Sequence, residues 1–391
     1  MQHDRQVQLV RRVLAHLDAR TTDREPAPTR VPISAYTDPA RFEREHARLF
    51  REVPLAVGHV SQLASPGDFI THDATGVPLL VVRDDDGELA AFINVCRHRG
   101  TRLEPAPCGS KKAFVCPYHA WSYSRRGDLI GIPHPDGFVA PAHQPNRLAT
   151  WVDPGDRGLV RVPVAAIAGL VFVVPTPGAT LDQTWLGPLA ADLEGFGSAT
   201  GHIHAPTVET KPMHWKLAID IFLEAYHLRR THRTSIYGMF FDNVALVDPT
   251  GPHTRNVFPK RTIRELPATP EREWALRRHA NVLFHIFPNT LVLVEPDHAA
   301  ILHLWPRGIA ETILTSYMLV PEPPQTDKAR AYWDANDVIL RNATAEDFAM
   351  GASIQSGLAS GANHDVVFGA FEHALAHFHR QIEEAIVRPN M

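Results

Sequence analysis

The chain has 391 residues, 44% of them hydrophobic and 21% charged. That is an ordinary globular composition, long enough for two domains. Its net charge of −4 and pI near 6.6 argue against a nucleic-acid binder that works by neutralising phosphates. The longest apolar run, Val162 to Val174, is interrupted by Pro163 and Gly169 and falls short of the ~20 residues of a membrane span. The opening residues Met1 to Arg5 carry no apolar secretory core. Three cysteines form no paired disulfide framework, so a reducing, cytoplasmic compartment is expected, with neither membrane nor nucleic acid as partner.

Val7, Val10, Val13, Leu14 and Leu17 have helical spacing, and a second helix is predicted from Pro39 to Phe50, with Asp38 as its N-cap. Residues 78–82 and 89–93 flank Asp84-Asp85-Asp86-Gly87, a hairpin signal, and short strands with Pro/Gly turns follow to about Pro175. A long helix is predicted over Trp215–Thr231. Residues 245–280, rich in Pro, Arg and Thr, read as a lid-like loop. Residues 290–294, 300–304 and 312–317 read as antiparallel strands, and Ala370–Ile386 as a closing helix. The expected fold is α+β: a helical arm over 1–44, an all-β domain over 45–160, and an α+β domain over 161–391 with helices packed on an antiparallel sheet.

The sharpest chemical signal is Cys96-Arg97-His98 followed by Cys116-Pro117-Tyr118-His119. Each half supplies one thiolate and one imidazole, with seventeen residues between His98 and Cys116. Such mixed pairs suit a Rieske [2Fe–2S] cluster, with Cys96 and Cys116 on one iron and His98 and His119 on the other. Two neutral imidazoles in place of thiolates raise the potential to roughly −150 to +300 mV, against about −400 mV for a plant-type cluster. A structural Cys2His2 zinc site is the bland alternative, although zinc fingers place a Cys pair before a His pair. Cys108 fits neither half. Tyr118 and Trp121 are read as shields of the cluster or as ordinary core.

His227 and His232 form a His-x4-His pair, as do His298 and His303. Among 23 histidines such pairs arise by chance. On a regular helix residues 227 and 232 point about 140° apart, so a shared metal requires the helix to end or bulge between them. His298 and His303 lie on a predicted hairpin with odd separation, on opposite faces. His202/His204 and His373/His377 have no persuasive partner set.

The two Cys/His motifs, and the run Gly127-Asp128-Leu129-Ile130-Gly131-Ile132-Pro133, resemble the Rieske non-haem iron aromatic-ring-hydroxylating oxygenases, alpha (catalytic) subunit. His214-Trp215-Lys216-Leu217, Glu224-Ala225-Tyr226-His227 and His232 are similar to that family's iron-binding segment. The resemblance implies a helix-grip catalytic domain, with His227, His232 and Asp347 holding a mononuclear Fe(II) as a facial triad. It implies that Glu224, where most members carry Asp, links His227 to His119 of a neighbouring chain. Asp220 is assigned a supporting role or a salt bridge. Phe284 to Asn289 resembles a pocket-lining stretch. The implied assembly is a homotrimer.

The implied reaction is hydroxylation of an aromatic or other apolar small molecule by O2. N- or O-demethylation is an alternative, and an electron carrier without catalytic iron is a rival of another class. The pocket is expected from Leu217–Phe222, residues 245–280 and the strands after Phe287. No Gly-rich dinucleotide fingerprint is visible, so electrons should come from a separate ferredoxin or flavin reductase. Seven basic residues against one acidic between Arg97 and Arg126 point to a basic docking face for that donor.

Overall fold

The computed structural model describes residues 1–138 and 154–387, and the chain divides into two compact units. Part of the stretch expected to continue in short strands therefore lies outside the described residues. One unit spans Phe50–Gln183. Strands Arg161–Val162, Val164–Ile167 and Leu170–Val173 fall within it, beyond the expected boundary at residue 160.

This unit is all β. A five-stranded antiparallel sheet runs in the order 161–162, 89–93, 79–83, 68–72 and 108–110, beside two three-stranded sheets. The hairpin Leu79–Arg83/Leu89–Ile93 forms as its turn chemistry dictates, with Asp84 Oδ1 accepting the Asp86 and Glu88 N–H groups. Leu79-Leu80-Val81-Val82 is a continuous apolar run because both faces are buried. Leu79 and Val81 join one core, and Leu80 and Val82 another. The second of these cores also contains Cys96, Cys116, Trp121 and Tyr123, so the metal-motif loops rest directly on packed side chains.

The other unit comprises Met1–Leu49 and Thr184–Met391. Its seven-stranded antiparallel sheet runs in the order 202–211, 311–320, 299–308, 290–294, 280–286, 253–259 and 246–250. The amino-terminal helices form as expected, at His3–Ala19 and Pro39–Leu49, with Asp38 Oδ1 accepting the Ala40 N–H at 2.9 Å. Among the described residues no helix is long and apolar enough to cross a membrane.

Two expectations are corrected here, and one element is added. The helix from Trp215 stops at Asp220, and a separate single turn covers Leu228–Thr231. Much of the supposed lid is sheet: Leu246–Thr250 and His253–Pro259 pair with each other, and the latter is buried along its length. Its interior polar residues hide it from a hydrophobic pattern. Arg255, 2% exposed, is neutralised by Asp192 and by Asp248 at 2.7 Å. Last, Asp327–Leu358 is a 32-residue helix, capped by Thr326 Oγ1 on the Ala329 N–H. Few of its side chains are buried, so it carries almost no apolar stripe. Gly351 lets it approach closely, since a Cβ there would lie 2.6 Å from Met213 Sδ.

Two buried imidazoles set an acid limit on this unit. His253 donates from Nε2 to Trp185 O and accepts the Phe287 N–H at Nδ1, so a second proton would displace a backbone bond. Burial lowers its pKa to about 4 and that of His285 to about 3, against 6.5 for a free imidazole. The unfolded chain therefore binds protons that the folded chain refuses, and stability is full above pH 6.5 and falls below it. At pH 5.5 each group costs about 1.4 kcal/mol, or roughly 3 kcal/mol together. Thermal unfolding at pH 5.5 and 7.5 should show that loss, and His253→Gln should flatten the acid limb.

Candidate functional site

The two metal-motif loops are built alike. The Cys96 N–H donates to Thr101 O and the Gly100 N–H to Cys96 O; the Cys116 N–H donates to Trp121 O and the Ala120 N–H to Cys116 O. The fourth residue after each cysteine is left-handed, with φ +84° at Gly100 and +58° at Ala120. These tight turns bring the two imidazoles together, with His98 and His119 ring centroids 4.7 Å apart. His98 stacks on Trp121 at 4.7 Å, and Tyr118 covers His119 at 3.6 Å. Tyr123 OH lies 3.4 Å from Cys96 Sγ and accepts the Arg97 N–H. Burial and the neighbouring Cys116 raise the Cys96 thiol, which favours the thiol until a cation binds.

The donor set fits a two-iron cluster. Nδ1 of His98 and Nδ1 of His119 are both buried without a hydrogen-bond partner, a cost that metal ligation removes. A single tetrahedral ion, with bonds of about 2.0–2.3 Å, would draw all four ligand atoms close together. Among the described residues no three of these four lie within 4.8 Å of one another. Cys108 is exposed on a strand, away from the motif.

In the other unit, His227, His232 and Asp347 bring ligand atoms within 4.8 Å of one another. The geometric obstacle read from the sequence is resolved by helix termination. His227 precedes and His232 follows the single turn Leu228–Thr231, and their rings lie 5.1 Å apart. Asp347 arrives from the long helix and is 6% exposed.

Each histidine is held from behind by a glutamate. His227 Nδ1 meets Glu224 Oε1 at 2.5 Å, and Glu224 Oε2 accepts the Tyr226 and His227 N–H groups. His232 Nδ1 meets Glu346 Oε2 at 2.6 Å, an oxygen that also accepts from Ser235 Oγ. With the proton on Nδ1, both Nε2 lone pairs face Asp347 Oδ1, at 3.4 Å from His227 and 2.8 Å from His232. That oxygen has no hydrogen bond despite its burial. Three converging acceptors repel one another unless a cation or extra protons sit between them. Burial opposes charge on both rings. Glu224 and Asp347 nevertheless hold His227 above the ordinary imidazole range, and Asp347 and Glu346 do the same for His232. A divalent ion would take the place of those protons.

Glu346 and Ser235 were not read from the sequence. The available signal was the adjacent acid pair Glu346-Asp347, whose side chains leave a helix about 100° apart. One can then ligate while the other reaches behind a ligand. Asp220 is elsewhere: its carboxylate accepts from Tyr36 OH at 2.7 Å and pairs with His379 Nε2 at 3.0 Å. These hydrogen bonds tie Asp220 to the amino-terminal and carboxy-terminal helices, and it does not line the cavity beside the trio.

That cavity has a volume of about 320 Å³. The predicted contributors supply Phe222, Phe258 and Leu293, but the long helix supplies a whole wall, including Leu340 and Asp347. The stretch Phe284–Asn289 packs in the core instead, with His285 and Asn289 at most 1% exposed. The other histidine pairs hold ordinary partners. His303 bonds Thr290 and Tyr317, His298 pairs with Asp297, His204 with Asp334, and His377 with Gly251 O.

The basic docking face is corrected. Arg102 pairs with Asp73, Lys111 with Glu104, Arg125 with Asp85, and Arg126 with Asp86. The acids come mostly from the preceding hairpins, which a count between Arg97 and Arg126 leaves out. Arg97, Arg99 and Lys112 keep their charge outside those pairs.

Profiles of known families match both units: a Rieske [2Fe–2S] domain over residues 53–151 and a ring-hydroxylating alpha subunit catalytic domain over residues 200–387. The carnitine monooxygenase oxygenase subunit of Escherichia coli (strain K12) is 28% identical over 370 residues, 90% of this chain and 93% of its own length. The chlorobenzene dioxygenase subunit alpha of Cupriavidus sp. (strain PS12) is 34% identical over 56% of this chain. The chain spans about half of that relative, 47%. A solved quaternary ammonium Rieske monooxygenase, described in terms of carnitine oxidation and inter-subunit electron transfer, superposes with TM-score 0.77 at 24% identity, covering 92% of this chain and 96% of that one. Naphthalene 1,2-dioxygenase from Rhodococcus sp. superposes with TM-score 0.73 at 19% identity, covering 97% and 98%. These structural likenesses are likenesses of fold.

Proposed function

The chain belongs to the Rieske-type ring-hydroxylating oxygenase alpha subunits, and on that premise we propose that it is a terminal oxygenase acting on a largely apolar small molecule. Cys96, His98, Cys116 and His119 would hold the [2Fe–2S] cluster, and His227, His232 and Asp347 a mononuclear iron. Bound there, the cluster would supply single electrons and the Fe(II) would activate O2. The observation that carries this reading is the convergence of those three side chains on the wall of a largely apolar cavity.

The protein's own groups have defined tasks. Glu224 and Glu346 keep the Nδ1 protons in place and so fix both Nε2 atoms toward the metal position. Asp347 supplies the negative charge. Apolar walls exclude water and orient the substrate body. Glu224 would face His119 of the next protomer in a homotrimer, and a separate cytoplasmic ferredoxin or flavin reductase would supply electrons.

Demethylating monooxygenation is the second reading. Its support is the alignment with the carnitine enzyme over 90% of this chain; a terephthalate 1,2-dioxygenase alpha subunit of Comamonas sp. aligns over 87%, so the substrate panel has to separate the two reactions. An electron carrier would need no metal trio beside a cavity. The test is turnover with a reductase under 18O2 across a small substrate panel, with mass spectrometry of products. Label in a hydroxylated product supports the reading; in demethylation the inserted atom leaves with the methyl carbon, so labelled formaldehyde, trapped before it exchanges with water, beside an unlabelled demethylated product identifies that reaction. Reoxidation of the cluster without labelled product from any substrate, in protein with two irons, supports the carrier.

A further inference from the structure

The cavity beside the iron trio ends at a hairpin tip, and a second cavity lies behind that tip. Tyr332 and Asp347 line the first cavity fifteen residues apart on one helix, about 22 Å at 1.5 Å per residue, so the trio stands at one end of a long space. At the other end stands the turn 295–298, which joins strands 290–294 and 299–308. In their register Leu291 faces Leu302 and Leu293 faces Ala300, and Leu291, Leu293 and Leu302 line the first cavity. Alternation along the strand puts His298 on the same face as Leu302 and turns Ala299 to the opposite one. Ala299 and its partner Leu319 line the second cavity, of about 200 Å³. Among the described residues the two walls share only Asp297 and His298.

Residues of both walls pin the tip. The Glu295 N–H donates to His298 O at 3.0 Å and closes the turn. From the first wall, Tyr332 OH donates to Asp297, whose Oδ1 holds His298 Nδ1 at 2.8 Å. From the second wall, Arg277 donates from Nε to Glu295 O at 2.9 Å and from Nη2 to His298 O at 3.2 Å. The His298 ring also packs edge-on against Trp333, with centroids 5.8 Å apart, and the residue is 7% exposed. A substrate lying along the first cavity, with its reacting carbon beside the trio, brings its far end against this ring. A longer one has to displace the ring and break its bond to Asp297. We propose that His298 is the end stop that sets the longest substrate the cavity accepts, and that the second cavity takes up extra length once the ring is removed. This rests on the oxygenase reading of the first cavity.

The test uses oxidised, iron-replete protein and a series of ω-phenylalkan-1-ols of increasing chain length. Calorimetric affinity should rise about fourfold with each added methylene until the chain meets the tip, and then stop rising. In His298→Ala, with His298→Ser as the substitute if that variant does not fold, the rise should run on for about two more methylenes, a gain of roughly tenfold over the wild-type protein at that length. His298→Phe keeps the bulk without the bond to Asp297 and should keep the wild-type limit. Adding Ala299→Phe to His298→Ala fills the second cavity and should take the limit back. Iron content and thermal unfolding are checked for each protein, and the same probes are then turned over with a reductase under 18O2. A limit unmoved by removal of the ring, a limit moved equally by His298→Phe, a gain that survives Ala299→Phe, or no rise with length in the wild-type protein overturns the assignment. A moved limit without 18O incorporation into any probe overturns the oxygenase reading and leaves the end stop standing, whereas incorporation with an unmoved limit overturns the end stop alone.

Discussion

Asp347→Ala should lower iron from about three to about two per chain while acid-labile sulfide stays at about two. Asp347 is the single point on which both Nε2 atoms converge, and the only anionic member of the trio. Without it, two imidazoles remain, with rings 5.1 Å apart and no anionic ligand to offset a divalent cation. Losing an outer-shell partner of a metal site typically costs 10–100-fold, and losing a direct ligand should cost at least ~100-fold in product formation. The cluster sits in the other unit and should be untouched, so the EPR spectrum of the reduced protein is the internal control. Asp347→Asn separates charge from shape: it keeps the volume and one oxygen, and should recover part of the iron but little of the turnover. A variant with three irons and undiminished product would show that the mononuclear site lies elsewhere.

What the sequence carried, and what it did not, follows from where polarity sits. The cluster ligands were legible because four unusual residues lie in two short local motifs, each closed by its own turn. Strands 79–83 and 89–93 were legible because an acidic turn divides two apolar runs. Strand 253–259 was not, because His253, Thr254, Arg255 and Asn256 are buried through specific partners that only the third dimension brings together. The long helix escaped for the opposite reason. Most of it faces solvent, and its few inward residues include Asp347, whose burial makes sense only opposite two histidines more than a hundred residues away. The resemblance to a known family could point to Asp347. It gave no hint of Glu346, because a supporting carboxylate is defined by what it touches. The shortness of the turn Leu228–Thr231 was required by geometry, since a regular helix running through both His227 and His232 would have turned the two ligands apart.

Glu224 and Glu346 make the same hydrogen bond to their respective ligands, yet their replacement should have different consequences. Glu346→Gln weakens the grip on His232 alone. It should reduce iron affinity by roughly 10–100-fold, and excess Fe(II) should restore turnover. Glu224 does more within its own loop: one oxygen holds His227 Nδ1, while the other accepts the Tyr226 and His227 N–H groups and so shapes the turn that presents the ligand. A glutamine can still accept the backbone N–H groups, so Glu224→Gln should keep its iron when loaded in excess. What it loses is the negative charge beside His227, and with it the group proposed to join the two metal sites between protomers. Product formation should therefore stay about 10–100-fold low even at full iron occupancy. Stopped-flow mixing of the reduced protein with O2 and substrate separates the cases. Glu346→Gln, once iron-loaded, should reoxidise its cluster at the wild-type rate, whereas Glu224→Gln should lag by the same factor as its turnover. Iron-loaded Glu224→Gln with a wild-type reoxidation rate would confine this carboxylate to orienting His227.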